Sequence, residues 1–312
     1  MTTITLLIPC FNEAASIRPL FRELVPICSG LPNIDWTFLF VDDGSSDGTA
    51  ALLKQELRDQ SSWCRGRMLS FSRNFGKEAA LIAGLDHCSS EACIILDADL
   101  QDPPELIPQM LESWQAGSKI VCAKRQDRRS DGFLKRTTAL FFYRFFKRLS
   151  KLEVIVDASD FRLLDQSVVT AICQCRESVR FSKGFFAWAG FSTSYLVYDR
   201  PARLQGETKW GSWKLWNYAL DGIFNFSSAP LRVWTYVGLS VMLTAFVLAL
   251  RIVIQSLTNN MSIPGYASIF VAVTFLGGIQ LLGIGIVGEY LGRIYIEAKR
   301  RPLYVIRELI ET

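Results

Sequence analysis

The chain has a single histidine, His87, in 312 residues. This excludes most histidine-based metal centres and argues against a Ser-His-Asp hydrolase. Its eight cysteines, at positions 10, 28, 64, 88, 93, 122, 173 and 175, form no CxxC pair, and several, such as Cys93 and Cys122, sit in apolar runs. They read as reduced, mostly buried thiols of a cytosolic environment, not as a disulfide framework. A formal charge of only +4 is too small an excess for a protein that coats phosphate backbones, so no nucleic-acid partner is expected. Internal repeats and low-complexity tracts are missing too. The N-terminus has no basic segment, and its apolar run, Ile4 to Cys10, is too short for a signal-peptide core. It reads as a buried strand.

Apolar residues, by contrast, are plentiful. They make up 50% of the chain and mean hydropathy is +0.21, yet 21% of residues are charged, near the soluble average. That mixture points to a water-soluble part joined to something very apolar, and the length suits about two domains. Over the first 125 residues the pattern alternates between strand and helix. Apolar runs ending at Cys10, Asp42, Ser72, Asp99 and Arg125 read as strands, and the segments after Asn12, Ser45, Asn74 and Asp102 read as helices. The helix after Ser45 is expected to be capped by Ser or Asp, and the one after Asp102 to start at Pro103-Pro104. Such alternation implies a mostly parallel sheet covered on both faces, with ligands gathered at the carboxyl ends of its strands.

After Arg232 the character changes. Val233–Leu250 and Ser268–Gly288 are uncharged runs of 18 and 21 residues, joined by the turn-forming SLTNNMSIPGY. Each is long enough to cross a hydrocarbon core, and together they read as a transmembrane hairpin, the alternative being buried core helices. Arg232 lies at one outer end and Arg293, Lys299, Arg300 and Arg301 at the other, with Arg251 alone near the loop, so both termini are expected to be cytoplasmic. Gly277, Gly278, Gly283, Gly285 and Gly288 hint at helix–helix association. Upstream, residues 132–152 carry six basic side chains and no acid on a dense aromatic-aliphatic stripe. This suits a helix lying on an anionic membrane surface, the alternative being a stripe packed into the soluble core. Trp213 and Trp216 mark a second interfacial candidate.

The sharpest chemical signal is Asp97-Ala98-Asp99, following the apolar CIIL and followed by Leu-Gln-Asp-Pro-Pro-Glu. Carboxylates one residue apart at a strand end can share one divalent cation with a substrate diphosphate. A second acid pair, Asp42-Asp43, ends another strand, within VDDGSSDGT; an Asp/Gly turn explains its Gly44 and Ser45 but not the doubled acid. The Pro9-Cys10-Phe11-Asn12-Glu13 stretch offers Glu13 to sugar hydroxyls. Ser72–Glu78, SRNFGKE, is a basic loop entering a helix N-terminus, which favours anions.

Together these motifs resemble the glycosyltransferase family 2 domain, with its GT-A nucleotide-sugar fold. The Asp160-Phe161-Arg162 triplet, GETKW at 206–210, KLWN, GEYLGRIYIEAKRRP and the two apolar spans narrow the resemblance. It is greatest to the polyprenyl-phosphate glycosyltransferases, and among them to the bactoprenol glucosyltransferases of O-antigen modification clusters. The resemblance covers essentially the whole chain, and no QxxRW motif of processive synthases is present.

The resemblance implies a nucleotide-sugar-binding core over 1–130 and an acceptor-side segment over 131–231. It implies two transmembrane helices within 232–292, about 233–254 and 267–289, and a cytoplasmic basic tail over 293–312. It assigns Asp42 to the nucleobase, Glu13 to ribose, Asp99 to a metal on the diphosphate, and Asp97 to the donor sugar or ribose beside that metal. Gln101 can join the metal shell, and Asp160 is the acid on the acceptor side, so Asp97, Asp99 and Asp160 form the catalytic set. Pro9, Phe11, Asp43, Lys77, Ala98 and Arg125 complete the donor site. Arg128, Arg200, Arg203 and Lys209 are the basic positions for the acceptor phosphate. The implied reaction is inverting transfer of glucose from UDP-glucose to undecaprenyl phosphate with Mg²⁺ or Mn²⁺, at the bacterial inner membrane. The implied company is a homo-oligomer, a lipid-sugar flippase and a downstream glycosyltransferase. Another donor sugar, a non-catalytic nucleotide-binding scaffold and a lipid-sugar translocator are the competing readings.

Overall fold

The computed structural model describes residues 1–125, 158–178, 180, 182–198, 229–258 and 265–312. The chain divides into two compact units, Met1–Ala219 with Arg301–Thr312, and Leu220–Arg300. The basic stripe at 132–152, the Trp213/Trp216 segment and Arg128, Arg200, Arg203 and Lys209 lie outside the described residues.

The first unit alternates as the apolar pattern requires. Its elements run β1 (Thr2–Cys10), α1 (Ala14–Ser29), β2 (Ile34–Asp42), α2 (Thr49–Asp59), β3 (Arg65–Phe71), α3 (Lys77–Asp86) and β4 (Ala92–Ile95). A 3₁₀ turn (Pro104–Leu106) then leads into α4 (Ile107–Gln115), followed by β5 (Ile120–Arg125), β6 (Ala158–Asp165), α5 (Gln166–Gln174), α6 (Ser182–Trp188) and β7 (Thr193–Tyr198). The helix expected from Pro103 thus begins one turn later, its first residues wound as 3₁₀. For α2 the cap position is Gly48, with Asp47, one residue earlier, accepting from the Thr49 amide at 3.0 Å.

The eight strands among the described residues form one sheet in the order β7-β5-β6-β4-β1-β2-β3-β8, where β8 is Ile306–Glu311. β1 pairs in parallel with both β2 and β4, β2 with β3, and β5 with β7. β6 runs antiparallel to β4 and β5, and β8 antiparallel to β3. The chain leaves β1 toward β2 and β3 on one side, while β4 lies on the other. The crevice between the carboxyl ends of β1 and β4 is therefore the topological switch point, where open α/β sheets take their ligands. One face of the sheet buries Leu6, Phe38, Phe40, Ile94, Phe161 and Leu163 in a single apolar cluster with Leu20, Phe21 and Met110 of the covering helices. Phe21 stacks on Phe40 at 5.3 Å, and Phe38 meets Trp63 edge-on at 5.5 Å. Burial of such side chains contributes about 1.5–3 kcal/mol each.

β8 corrects the reading of 293–312 as a tail. Its residues alternate between half-buried and exposed, as on a half-covered edge strand, and it is tied down by Lys54–Glu308 and Arg67–Glu311 ion pairs at 2.8 and 2.6 Å. Just before it, Tyr304 stacks on Phe71 at 5.4 Å and donates to Asp86, which also holds Arg176 bidentately. A basic composition hid a short strand whose partner lies more than 230 residues upstream.

The second unit holds two long helices, α7 (Ala229–Thr258, 30 residues) and α8 (Tyr266–Ala298, 33 residues), both extending beyond the spans expected from the uncharged runs. Within α8, Phe275–Ala298 is apolar and long enough to cross a membrane. Its apolar side chains, including Leu281, Leu282, Ile284 and Leu291, are exposed, which fits contact with lipid and not a soluble core. At Gly283 a Cβ would come within 2.1 Å of the Trp234 indole, so a larger residue there would displace that ring where the helices touch.

Candidate active site

The site is assembled from loops that leave the carboxyl ends of β1 to β4, plus one side chain from β6. The first two loops brace one another. Asn12, held at a left-handed φ of 53°, accepts at its carboxamide oxygen from the Ser46 amide at 2.9 Å, and its own amide donates to the Ser45 hydroxyl at 2.9 Å. The Glu13 amide donates to Thr49 and the Ala14 amide to Asp47, each at 3.0 Å. Phe11 is exposed, and Pro9 and Glu13 are half-buried.

The Asp42-Asp43 pair has a structural explanation that the sequence did not supply. Asp42 is fully buried, with one oxygen accepting from the Ser45 amide at 3.1 Å and the other from the Ser70 hydroxyl at 2.8 Å. In this arrangement it builds the turn. Asp43 accepts from the Phe75 and Gly76 amides at 2.6 and 2.9 Å, clamping the loop that enters α3. Burial pushes its carboxyl above the usual range, although these amides pull the other way. Gly44 between the two loops has a φ of +70°, and a Cβ there would lie 2.6 Å from the Arg73 backbone.

Held by that clamp, Lys77 opens α3 and reaches across the crevice. Its ammonium lies 2.7 and 2.8 Å from the two oxygens of Asp97 and 2.7 Å from Asp160. Register explains why two acids meet here. Ile95 of β4 pairs with Arg162 of β6, and extending that antiparallel register by two residues sets Asp97 opposite Asp160. Like charges placed so are unfavourable unless compensated. Burial, opposed by Lys77 and reinforced by Asp160 and Asp99, raises the Asp97 carboxyl above its ordinary range. For Lys77, burial alone would lower the ammonium, but Asp160 and Asp97 outweigh it and hold it well above the ordinary lysine range.

Asp160 owes its position to a bulge. β5 pairs Cys122 with Arg162 and then Lys124 with Ala158, so β6 carries extra residues around Asp160. Bulges commonly re-aim side chains beside active sites. The freed backbone groups are satisfied locally: Phe161 N–H donates to the Ser159 hydroxyl at 3.2 Å, and the Arg162 guanidinium donates to the Ser159 carbonyl at 2.7 Å. Arg162 is buried, with Phe186 covering it at 4.3 Å. Within the triplet, then, Asp160 faces the site, Phe161 fills the core and Arg162 supports the bulge. Ser159 and Arg162 were not among the expected site residues; their signal was adjacency to Asp160.

The Asp97–Asp102 loop completes the site. Asp99 is exposed, and Gln101 bonds to it with both its backbone amide and its carboxamide. Leu100 between them holds a φ of +54°, a strained choice for a branched side chain that turns its neighbours toward one another. Ala98 is buried beneath. Among the described residues no group of three or more His, Cys, Asp or Glu side chains converges on one point. Asp97, Asp99 and the Gln101 carboxamide are hard oxygen donors that fit Mg²⁺ or Mn²⁺ when a ligand supplies further oxygens. Two acids, Asp97 and Asp160, meeting one ammonium also leave negative charge for a cation to balance. Arg125 closes β5, and the remaining basic positions expected to face phosphates lie outside the described residues.

An open α/β sheet with acids at its switch point has a ligand site where such folds place one. The chain belongs to glycosyl transferase family 2, whose family model matches residues 5–172, and residues 229–294 match the GtrB C-terminal hairpin. It is a glycosyltransferase with a GT-A sheet and a C-terminal membrane-associating hairpin, as the motifs led one to expect. A bactoprenol glucosyl transferase of Shigella phage SfV is 45% identical over 97% of this chain and 98% of its own. A prophage bactoprenol glucosyl transferase homolog of Escherichia coli K12 is 44% identical over 98% of this chain and 99% of its own. An uncharacterized glycosyltransferase of Synechocystis is 44% identical over 98% of this chain and 95% of its own.

Proposed function

We propose that the chain transfers glucose from UDP-glucose to undecaprenyl phosphate, giving UDP and a β-linked lipid-phosphate glucose. The observation that carries this reading is the convergence of Asp97, Asp160 and Lys77 beside the Asp99–Gln101 loop at the switch point. The names of the relatives supply the sugar and the lipid.

Asp97, Asp99 and Gln101 would hold a divalent cation, which neutralises charge on the leaving diphosphate. Glu13 and the loops around Asn12 and Ser45 orient the nucleoside, and Lys77 supplies a positive charge that Asp160 holds on the acceptor side. An acceptor phosphomonoester, with a second pKa near ~6, is largely ionised at neutral pH and needs no strong general base. Asp160 therefore orients the acceptor side and Lys77 instead of removing a proton. Attack from the face opposite the leaving group inverts the anomeric centre. Arg128, Arg200, Arg203 and Lys209 are proposed to receive the acceptor phosphate. The hairpin is proposed to cross the bacterial inner membrane twice with both termini cytoplasmic, in a homo-oligomer that works with a flippase and a downstream glycosyltransferase.

The test is transfer from a panel of radiolabelled nucleotide sugars to undecaprenyl phosphate in detergent, with Mg²⁺, Mn²⁺ or EDTA. Chloroform-soluble product from UDP-glucose alone, lost with EDTA and in Asp99→Ala, is the expected result. Product from another donor corrects the sugar. Nucleotide binding with no lipid product from any donor removes the transferase reading of the acceptor.

A further inference from the structure

Lys77 bridges Asp97 and Asp160 at the switch point. We propose that Lys77 is a tethered counter-cation: with no donor bound its ammonium occupies Asp97 and excludes a divalent ion, and it releases Asp97 only when a metal and diphosphate arrive together. The inference rests on the metal-and-diphosphate reading above and adds an order of binding to it.

Three observations carry it. The ammonium contacts both oxygens of Asp97, at 2.7 and 2.8 Å, so neither is unclaimed for a metal as long as the lysine stays. The same ammonium contacts Asp160 at 2.7 Å, so it has a second carboxylate to remain on when Asp97 is surrendered. Its backbone is fixed from behind by Asp43, which accepts from Phe75 and Gly76, so the exchange is a side-chain movement on a rigid base. Asp99, by contrast, is exposed and held only through Gln101 among the bonds described, and one carboxylate with a carboxamide is a weak site for Mg²⁺ or Mn²⁺. A diphosphate changes the balance, because it brings oxygens that complete the metal shell. The consequence is ordered loading, in which the cation enters with the nucleotide and not ahead of it. Lys77 then stays on Asp160, facing the acceptor side.

The experiment measures Mn²⁺ binding to the full chain in detergent by loss of the free-ion EPR signal, without any sugar donor or acceptor lipid. Wild type is expected to bind Mn²⁺ at least about tenfold more weakly without nucleotide than with UDP. Lys77→Met and Lys77→Gln are each expected to bind Mn²⁺ about tenfold more tightly than wild type when nucleotide is absent, the scale of one charge at contact in a partly exposed site. That advantage should vanish or reverse with UDP present. Lys77→Arg, which keeps the charge, should follow wild type. Equal wild-type affinity with and without UDP overturns the proposal even if the neutral variants do not fold, and so does unchanged or weakened Mn²⁺ binding in a folded neutral variant. Because no donor sugar or lipid enters the measurement, failure of the glucose or undecaprenyl assignment appears only in the transfer assay and leaves this result standing.

Discussion

The Ser159 hydroxyl donates to Asp102 at 2.6 Å, so the loop that follows β4 and the bulge that carries Asp160 are fastened to one another inside the protein. The other oxygen of Asp102 takes the Tyr198 hydroxyl, drawing the end of β7 into the same joint. Asp102→Ala leaves two buried hydroxyls without their acceptor, and a loss of about 2–4 kcal/mol of stability is expected. Ser159→Ala removes the bond to Asp102 and the acceptor of the Phe161 amide, and should cost about 1–2 kcal/mol. Thermal unfolding in detergent checks the order. Both variants should lower kcat more than they raise donor KM, because they loosen Asp160 and not the nucleotide loops; an unchanged kcat in a folded Asp102→Ala would refute the coupling.

Arg162→Ala deletes the donor to the Ser159 carbonyl and the cation over Phe186, and about 3 kcal/mol of destabilisation is expected. Arg162→Lys should recover part of the packing but not the bulge geometry, since the ammonium lacks the guanidinium fork. Comparing the melting points of the two variants with their transfer rates tests this: Lys should restore stability further than activity.

Gly44→Ala is expected to lose at least about 2 kcal/mol, from a left-handed φ and a collision with the Arg73 backbone that has no flexible end to give way. Since the two colliding loops carry Asp42 and Lys77, the same variant should weaken UDP binding. Calorimetric titration with UDP would show it, and wild-type affinity would contradict the packing described.

Asp165 caps α5 and accepts from Ser167, Trp114 and Lys119. Burial opposes ionisation there, but these donors dominate and bring its carboxyl down to about 2. Its folded-state pKa is depressed, so the stability it contributes is complete above the unfolded value of ~4 and is lost as pH falls through about 2. Asp165→Ala should therefore be destabilised by about 1–2 kcal/mol at neutral pH, with the gap to wild type closing toward pH 2. Denaturation midpoints across that range provide the check; a constant gap would mean the carboxylate charge is not involved.

Tyr304→Phe keeps the stack on Phe71 but removes the bond to Asp86, and a loss of about 1 kcal/mol is expected, read as a lowered melting point. Removing residues 301–312 takes away β8 and leaves the β3 edge unpaired, so aggregation in addition to destabilisation is expected. Size-exclusion profiles of the two variants separate these effects.

Much of the sheet could be read from the chain because β1 to β5 are buried on both faces, and near-continuous apolar runs such as ITLLI and FLFV follow from that. Asp97 and Asp99 stand out in the sequence because they follow the apolar run CIIL, whereas Asp160 is singled out only by the resemblance that its triplet carries. The division of labour around them was not legible. Asp42 takes one donor from its own turn, at Ser45, but its other donor and those of Asp43 come from Ser70, Phe75 and Gly76, some thirty residues away, which no local pattern encodes. The bulge at Asp160 and the reversed direction of β6 depend on pairing register, and register is invisible in a single strand. β8 escaped for the same reason: IRELIE alternates weakly, and only its partner makes it a strand.

Because β8 follows α8 in the chain, the catalytic sheet is discontinuous, and its edge can be finished only after the hairpin has left the ribosome. The order of synthesis thereby ties maturation of the enzyme to delivery of its anchor. Until the hairpin is made, β3 waits with an open edge, and Tyr304 has not yet arrived to stack on the phenylalanine from which the Lys77 loop departs.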